Sequence, residues 1–211
     1  NDEFSHALFA QSIGGGGGNA ASKVSKVGPQ RPDLALLIGG TGGTGGTSGN
    51  ILVDSNADII TSKINSSGIF AQSAGGGGGQ GSDVYSISLK SSNDLAANVA
   101  IGGIGGKGNT SGTVTVKQVG STLTKGNDSH GLWAQSIGGG GGNAGSVIQV
   151  FKSELSSDAP SSKTLAAISV GRAGGEGGFS RKVLVENTGN IKTEGNNSHG
   201  IFAKSIGGGG G

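Results

Sequence analysis

Four times in 211 residues, a short apolar stretch ending in Ser and Ile or Ala runs into five consecutive glycines. The first copy is Ser5-His-Ala-Leu-Phe-Ala-Gln-Ser-Ile13 with glycines at 14–18, and the second is Ser67-Gly-Ile-Phe-Ala-Gln-Ser-Ala74 with glycines at 75–79. The third and fourth are His130-Gly-Leu-Trp-Ala-Gln-Ser-Ile137 with 138–142, and His199-Gly-Ile-Phe-Ala-Lys-Ser-Ile206 with 207–211. Glycine loses more backbone freedom on folding than any other residue, so such a run persists only where backbones approach closely or a loop must flex. The runs begin at 14, 75, 138 and 207, giving periods of 61, 63 and 69 residues. A second glycine block recurs inside each repeat, at 39–46, 102–108 and 171–178. From the start of this block to the next run is 36 residues every time, so one half of the repeat is fixed and the other carries all variation in length. Insertions of that kind belong in surface loops, expected near residues 27–32, 91–94 and 153–162. The chain divides into repeats at 5–66, 67–128 and 129–197, with a fourth starting at 198–211, in a single elongated repeat domain over 1–211.

This periodicity dictates what the composition can build. Gly supplies 48 residues, aromatics 4% and charged residues 13%, against about 25% charged in ordinary domains. Too few large side chains are present to fill a thick core at native density, but a thin core drawn out along a stacking axis can be filled. Apolar residues cluster, as in Leu34-Ala-Leu-Leu-Ile38 and Val114-Thr-Val116, which argues for an ordered fold over a disordered Gly/Ser tract. The predicted fold is all-β: a parallel β-helix or β-solenoid with glycine-rich segments. The Gly-Gly-X period of 39–46 also permits polyglycine-II-like helices that pack closely side by side.

Within the fixed half, Ile51-Leu-Val53, Val114-Thr-Val116 and Val183-Leu-Val185 occupy equivalent places and alternate as strands with one buried face. A further strand is expected at 59–61 and its copies, with polar turns between. About five short strands per repeat suit two or three solenoid coils, which would hold equivalent residues about 10–14 Å apart. Phe9, Phe70, Trp133 and Phe202 form one equivalent series, expected to fill the core because Ile or Leu and Ala flank them.

Little chemistry is visible. His6, His130 and His199 are equivalent, with Ser67 in the second repeat. At the coil spacing just given they cannot share a zinc ion, whose ligands sit about 2.1 Å from the metal, and a structural turn role is favoured. Asp128 near His130 suggests a triad only in one repeat, and no paired carboxylates recur. No site residue is assigned for catalysis, cofactor or metal, and no cofactor is expected. The glycine runs lack the Gly-Lys-Ser/Thr of a phosphate loop and the Gly-Gly-x-Gly-x-Asp of calcium repeats. Ice binding calls for a regular hydroxyl ladder, whereas the outward equivalents are Leu52, Thr115 and Leu184. Cysteine is absent, and a net charge of +2 with interspersed signs leaves no footprint for nucleic acid. No apolar run reaches the about 18 residues of a membrane helix, so direct membrane insertion is not expected. The chain opens in mid-repeat and stops inside a glycine run, as a fragment would.

The motif His-Gly-Ile/Leu-aromatic-Ala-Gln/Lys-Ser-Ile followed by glycines, with Thr124-Lys-Gly-Asn-Asp-Ser129 or Thr193-Glu-Gly-Asn-Asn-Ser198 upstream, resembles repeats in the passenger regions of large autotransporters of Gram-negative bacteria. Departures are Ala7 for Gly, Ser67 for His, Ala74 for Ile and Lys204 for Gln. The resemblance implies a secreted, non-catalytic β-solenoid stalk at the bacterial cell surface, held in the outer membrane by a barrel outside this chain. It implies roles in adhesion, aggregation or biofilm formation, with host matrix, cell-surface receptors or other copies as partners. Two other readings are a purely structural extracellular fibre and a polysaccharide-cleaving solenoid enzyme, the latter disfavoured because no acidic groove is visible.

Overall fold

Five segments of each repeat are short, rich in Val, Ile, Leu or Thr, and mostly bounded by Gly, Asn or Ser, as strands require. The computed structural model describes residues 3–27, 33–90, 96–153 and 165–211 and forms a strand at each such segment. The first repeat holds β1 (Leu8–Ile13), β2 (Lys23–Val27), β3 (Asp33–Ile38), β4 (Ile51–Ser55) and β5 (Ile59–Thr61). The second holds β6 (Ile69–Ala74), β7 (Val84–Lys90), β8 (Ala96–Ile101), β9 (Val114–Gln118) and β10 (Thr122–Thr124). The third holds β11 (Leu132–Ile137), β12 (Val147–Ser153), β13 (Leu165–Val170), β14 (Val183–Asn187) and β15 (Ile191–Thr193), and β16 (Ile201–Ile206) opens the fourth. No helix occurs among the described residues.

Every strand pairs in parallel with its own equivalent one repeat away. The sheets run β1-β6-β11-β16, β2-β7-β12, β3-β8-β13, β4-β9-β14 and β5-β10-β15. Registers never slip: Phe9 lies opposite Phe70, Phe70 opposite Trp133, and Trp133 opposite Phe202. One repeat is therefore one layer, and the expectation of two or three coils per repeat is corrected. Among the described residues no strand pairs within its own repeat, so equivalents are immediate β neighbours. Measured between strand starts, only the step from β2 to β3 changes between layers: 23 to 33, 84 to 96 and 147 to 165. The insertions expected at 27–32, 91–94 and 153–162 fall in that step. Apart from Val27 and Ser153, which end strands, they lie outside the described residues.

The apolar core sits between the sheets led by β1, β4 and β5. Ile69, Ala71, Val114, Val116, Leu132 and Ala134 are fully buried there, with Ile51 and Ile59 beside them. The alternation expected for 51–53 and its copies is present: Val114 and Val116 face in, and Leu52 is 67% exposed. Serine completes this interior. Ser73 and Ser136 point inward, bond to Ser48 Oγ (2.8 Å) and Ser111 Oγ (2.7 Å), and accept the backbone N–H of Gly112 and Arg181 ahead of the next β4 equivalent.

The glycine segments are ordered and laterally hydrogen-bonded with a period of three. Gly14 and Gly17 donate to Ala74 and Gly77 of the next layer, Gly43 and Gly46 donate across the layer to Gly18 and Gly15, and Gly76 and Gly79 donate back to Gly46 and Gly43. Three residues per turn is the period of polyproline-II-type chains. No glycine among the described residues has a left-handed φ, so conformation is not what selects it here. Sterics is: a Cβ on Gly142 would overlap the carbonyl oxygen of Gly79, and one on Gly175 that of Gly106.

Beyond this glycine bridge the sheets led by β2 and β3 face each other with an inverted pattern. Ser86, Ser88, Asn98 and Ala100 are buried between them, and Asn98 Nδ2 donates to Ser86 (3.2 Å) and Ser88 (2.6 Å). Most of the aliphatic residues face out: Leu36, Ile38, Ile168 and Val170 are exposed, with Val99 and Ile101 half-buried between them, whereas Val84 and Leu37 face in.

If sterics selects the glycines, position within one run decides tolerance. Gly142→Ala is expected to destabilise by about 1–3 kcal/mol or more, as overpacking does. Gly140→Ala, whose Cβ would find its nearest neighbour 3.8 Å away, should be neutral or stabilising by about 0.4–1 kcal/mol through the unfolded state. Denaturant unfolding of the two variants checks this.

Candidate functional site: an outward ladder of rings

Because Ile69, Ala71 and Ser73 face inward, alternation turns Phe70 and Gln72 outward, and every layer repeats this. Phe9, Phe70, Trp133 and Phe202 therefore stand on the outer face of the β1-β6-β11-β16 sheet, and the expectation that they fill the core is corrected. Phe9 is 58% exposed, and Phe70 is buried by its neighbouring rings rather than by the core cluster. The core is too thin for an aromatic, and Ile, Leu and Ala fill it. On the outer face stacked rings recover buried area from one another.

Phe9 and Phe70 stack with centroids 5.2 Å apart and planes 5° from parallel. Trp133 meets Phe70 and Phe202 edge-on, at 69° and 88°. Gln11 and Gln72 hydrogen-bond side chain to side chain, and Lys204 Nζ lies 4.3 Å from the centre of the Phe202 ring.

A corner before each strand adds the histidines. Asn65, Asp128 and Asn197 take left-handed φ of 53–55°, a conformation Asn and Asp tolerate, which accounts for the Asn/Asp-Ser sequence before Ser67, His130 and His199; before His6 the same corner is made by Phe4, at φ 61°. Behind the histidine, Gly131 must lack a side chain, since a Cβ would meet Ile191 Cγ2 at 2.6 Å. The turn thus lays His130 against Trp133 (4.9 Å), Phe202 (4.8 Å) and His199 (5.2 Å), and His6 against Phe70 (5.1 Å). The expected separation of about 10–14 Å between equivalent histidines is therefore also corrected. The cause is again one layer per repeat.

The imidazoles hold the layers together. Ser67 N–H donates to His6 Nδ1 at 3.0 Å, His130 N–H to Ser67 Oγ at 3.1 Å, and His199 N–H to His130 Nδ1 at 3.1 Å. A parallel column of serines does likewise: Ser5 N–H donates to Ser66 Oγ, Ser66 N–H to Ser129 Oγ, and Ser129 N–H to Ser198 Oγ. Burial pushes both His6 and His130 below the usual imidazole range. At His130 the nearby His199 and Lys204 push the same way, against Asp128.

Chemically this is a scaffold arrangement. His130 Nδ1 accepts a backbone amide, and Ser129 Oγ donates to the carbonyls of Lys63 and Asn127, so neither is oriented on the other as base and nucleophile. Among the described residues no three His, Asp or Glu side chains are grouped to hold a metal ion. The sequence motif located the histidines, but not the interlayer bonds they accept. The hint was Ser67, which stands in the histidine column and, like a neutral imidazole, can accept a hydrogen bond there.

No protein-family model matches the chain, and no curated protein matches it. Among solved structures, a springtail antifreeze protein from Granisotoma rainieri, a bundle of nine polyproline type II helices, is 19% identical over 69% of this chain and 96% of its own. Its TM-score of 0.12 leaves the likeness without argumentative weight.

Truncating one ring should therefore act by position. Phe70→Ala is expected to destabilise by roughly 2–4 kcal/mol, within the range for buried aromatics, and to shift the emission of Trp133, the only tryptophan. Phe9→Ala, at an exposed end of the column, should change stability by less than about 1 kcal/mol. Denaturant unfolding followed by tryptophan fluorescence measures both.

Proposed function

We propose that this chain is a stalk segment of a bacterial cell-surface autotransporter passenger, a parallel β-solenoid that displays variable loops for adhesion, aggregation or biofilm formation. One observation carries the reading: strands pair without a register slip while all variation in repeat length is confined to the β2–β3 step and its copies. A scaffold insensitive to loop length at one edge suits display. Supporting it, the closely packed glycine segments are of polyglycine-II type, cementing each layer to the next. The ring, serine and glycine columns all serve stacking, in keeping with a non-catalytic role at the outer surface.

The reading assigns contacts to the loops and none to the ladder. Swapping segment 154–164 for a Gly/Ser linker of equal length should abolish binding of the fluorescently labelled chain to immobilised extracellular matrix or to cells, leaving the melting temperature within a few degrees. Matrix and cell binding unchanged by the swap, or absent from the original chain, would sink loop display.

A second reading, a self-associating fibre, is favoured by one feature. Among the described side chains, the outward positions of β3, β8 and β13 are Leu36, Ile38, Ala97, Val99, Ile101, Ala166, Ile168 and Val170, without a charge or hydrogen-bonding group. The outward ladder of β2, β7 and β12 is interrupted by Lys26 and Lys152. A charge-free aliphatic sheet face resembles half of a domain core. If copies associate through it, Val99→Lys with Ile101→Lys should shift sedimentation toward monomer by at least tenfold in dissociation constant. Sedimentation unchanged by the lysines would leave the fibre reading without support.

A further inference from the structure

Three interlayer bonds in the histidine column use two kinds of acceptor. Between the first and second layers the acceptor is His6 Nδ1, and between the third and fourth it is His130 Nδ1. Between the second and third it is Ser67 Oγ. A hydroxyl accepts at any pH, whereas an imidazole nitrogen accepts an N–H only while it carries no proton itself. We propose that the histidine column is an acid-sensitive latch, in which protonation of His6 and His130 releases the layers on either side of a pH-independent Ser67 link.

Protonation of His130 would turn its Nδ1 into a donor facing the His199 N–H, two donors with no acceptor between them. The charge would also be poorly placed. His130 is only 8% exposed and lies flat against Phe202 and His199, with rings within 14° of parallel. The charged or titratable groups acting on it are His199, Asp128 and Lys204. Of these only Asp128 would welcome a cation, and it lies two residues before His130 on the corner. His6 stacks on Phe9 and Phe70, shares its surface recess with Lys63, and has no carboxylate among that recess's lining residues. At His6 the hydrogen bond with the Ser67 backbone acts the other way, but burial outweighs it and holds both groups below their ordinary value.

The sign follows from proton counting. A histidine whose folded pKa is depressed binds fewer protons folded than unfolded, so stability rises with pH. The stabilisation is complete above about pH 6.5, the value in the unfolded chain, and is lost as pH falls from there through the lower folded value. Only three histidines exist in the chain, and carboxylates titrate near pH 4, so the window between pH 7 and pH 5 isolates them.

The experiment is thermal unfolding of the chain between pH 7.5 and pH 5, alongside a His6→Ser, His130→Ser double variant that copies the acceptor of the Ser67 layer. The original chain is expected to lose on the order of a few degrees in melting temperature across the window, and the double variant to lose markedly less. A flat profile for the original chain, or an equal fall in both proteins, overturns the latch. Should the double variant not fold, long-range imidazole ¹H–¹⁵N correlation spectra of the original chain at pH 7.5 decide. His6 and His130 must then be neutral with the proton on Nε2, and a proton on Nδ1 overturns the proposal.

Discussion

The closest constraint in this protein is the approach of one backbone to the next across the stack. Parallel pairing fixes a separation of about 4.8 Å between layers, and five sheets must obey it together. Any residue that widened one column would pull the other four out of register. At the glycine bridge the demand is strictest, because two columns must satisfy hydrogen bonds along the axis and across the layer. Gly79 N–H reaches Gly43 of the preceding layer while Gly106 N–H reaches Gly79 in its own. Only a residue without a Cβ fits at the positions that face a neighbouring backbone, such as Gly79 and Gly106, which is why an entropically unfavourable residue recurs there.

That bridge explains the inversion of the sheets beyond it. On one side, where the β1, β4 and β5 sheets meet, there is room for Ile69, Leu132 and Val114. On the other, the β2 and β3 sheets bury the small side chains of Ser86, Ser88, Asn98 and Ala100 in the middle layer, while Val84 and, in the same inward columns, Leu37 and Phe151 also face in. Asn98 Nδ2 bonds both serine hydroxyls, whereas its Oδ1 is buried without a partner. Most other aliphatic residues of these strands, among them Leu36, Ile38, Ile168 and Val170, turn outward. One repeat thus has a conventional apolar core and a polar inner seam on either side of a glycine lattice.

The all-β parallel stack was legible from the periodicity, and the alternation at Ile51, Val114 and Val183 gave the inward face of one strand correctly. What misled was treating hydrophobicity as depth. Phe70 looks like core, yet alternation with Ile69 and Ala71 places it outside, and its burial comes from Phe9, Trp133 and His6. Likewise Tyr85 and Ile87 alternate with serines, and the serines are inside. A period of two reports that a strand has two faces and not which one is internal. The number of layers per repeat was invisible for a related reason: strand count fixes how many segments exist, whereas pairing partners depend on long-range register.

Stacking identical elements also changes what a single side chain does. In a globule a histidine meets a unique set of neighbours, but here each column residue meets copies of itself and of the column beside it. A hydrogen-bond acceptor placed once per repeat becomes a ladder, and so does a ring. The ladder tolerates exchange only between residues sharing the property that matters at that position. Ser67 replaces histidine as acceptor and gives up the ring, leaving Phe70 to stack on His6 from the layer before. Trp133 replaces phenylalanine and turns edge-on, and the ring column continues through it. Substitutions inside the repeats therefore read as experiments on the columns. By that measure the histidine column is selected for accepting an amide, the aromatic column for contact area, and the glycine columns for the absence of a side chain.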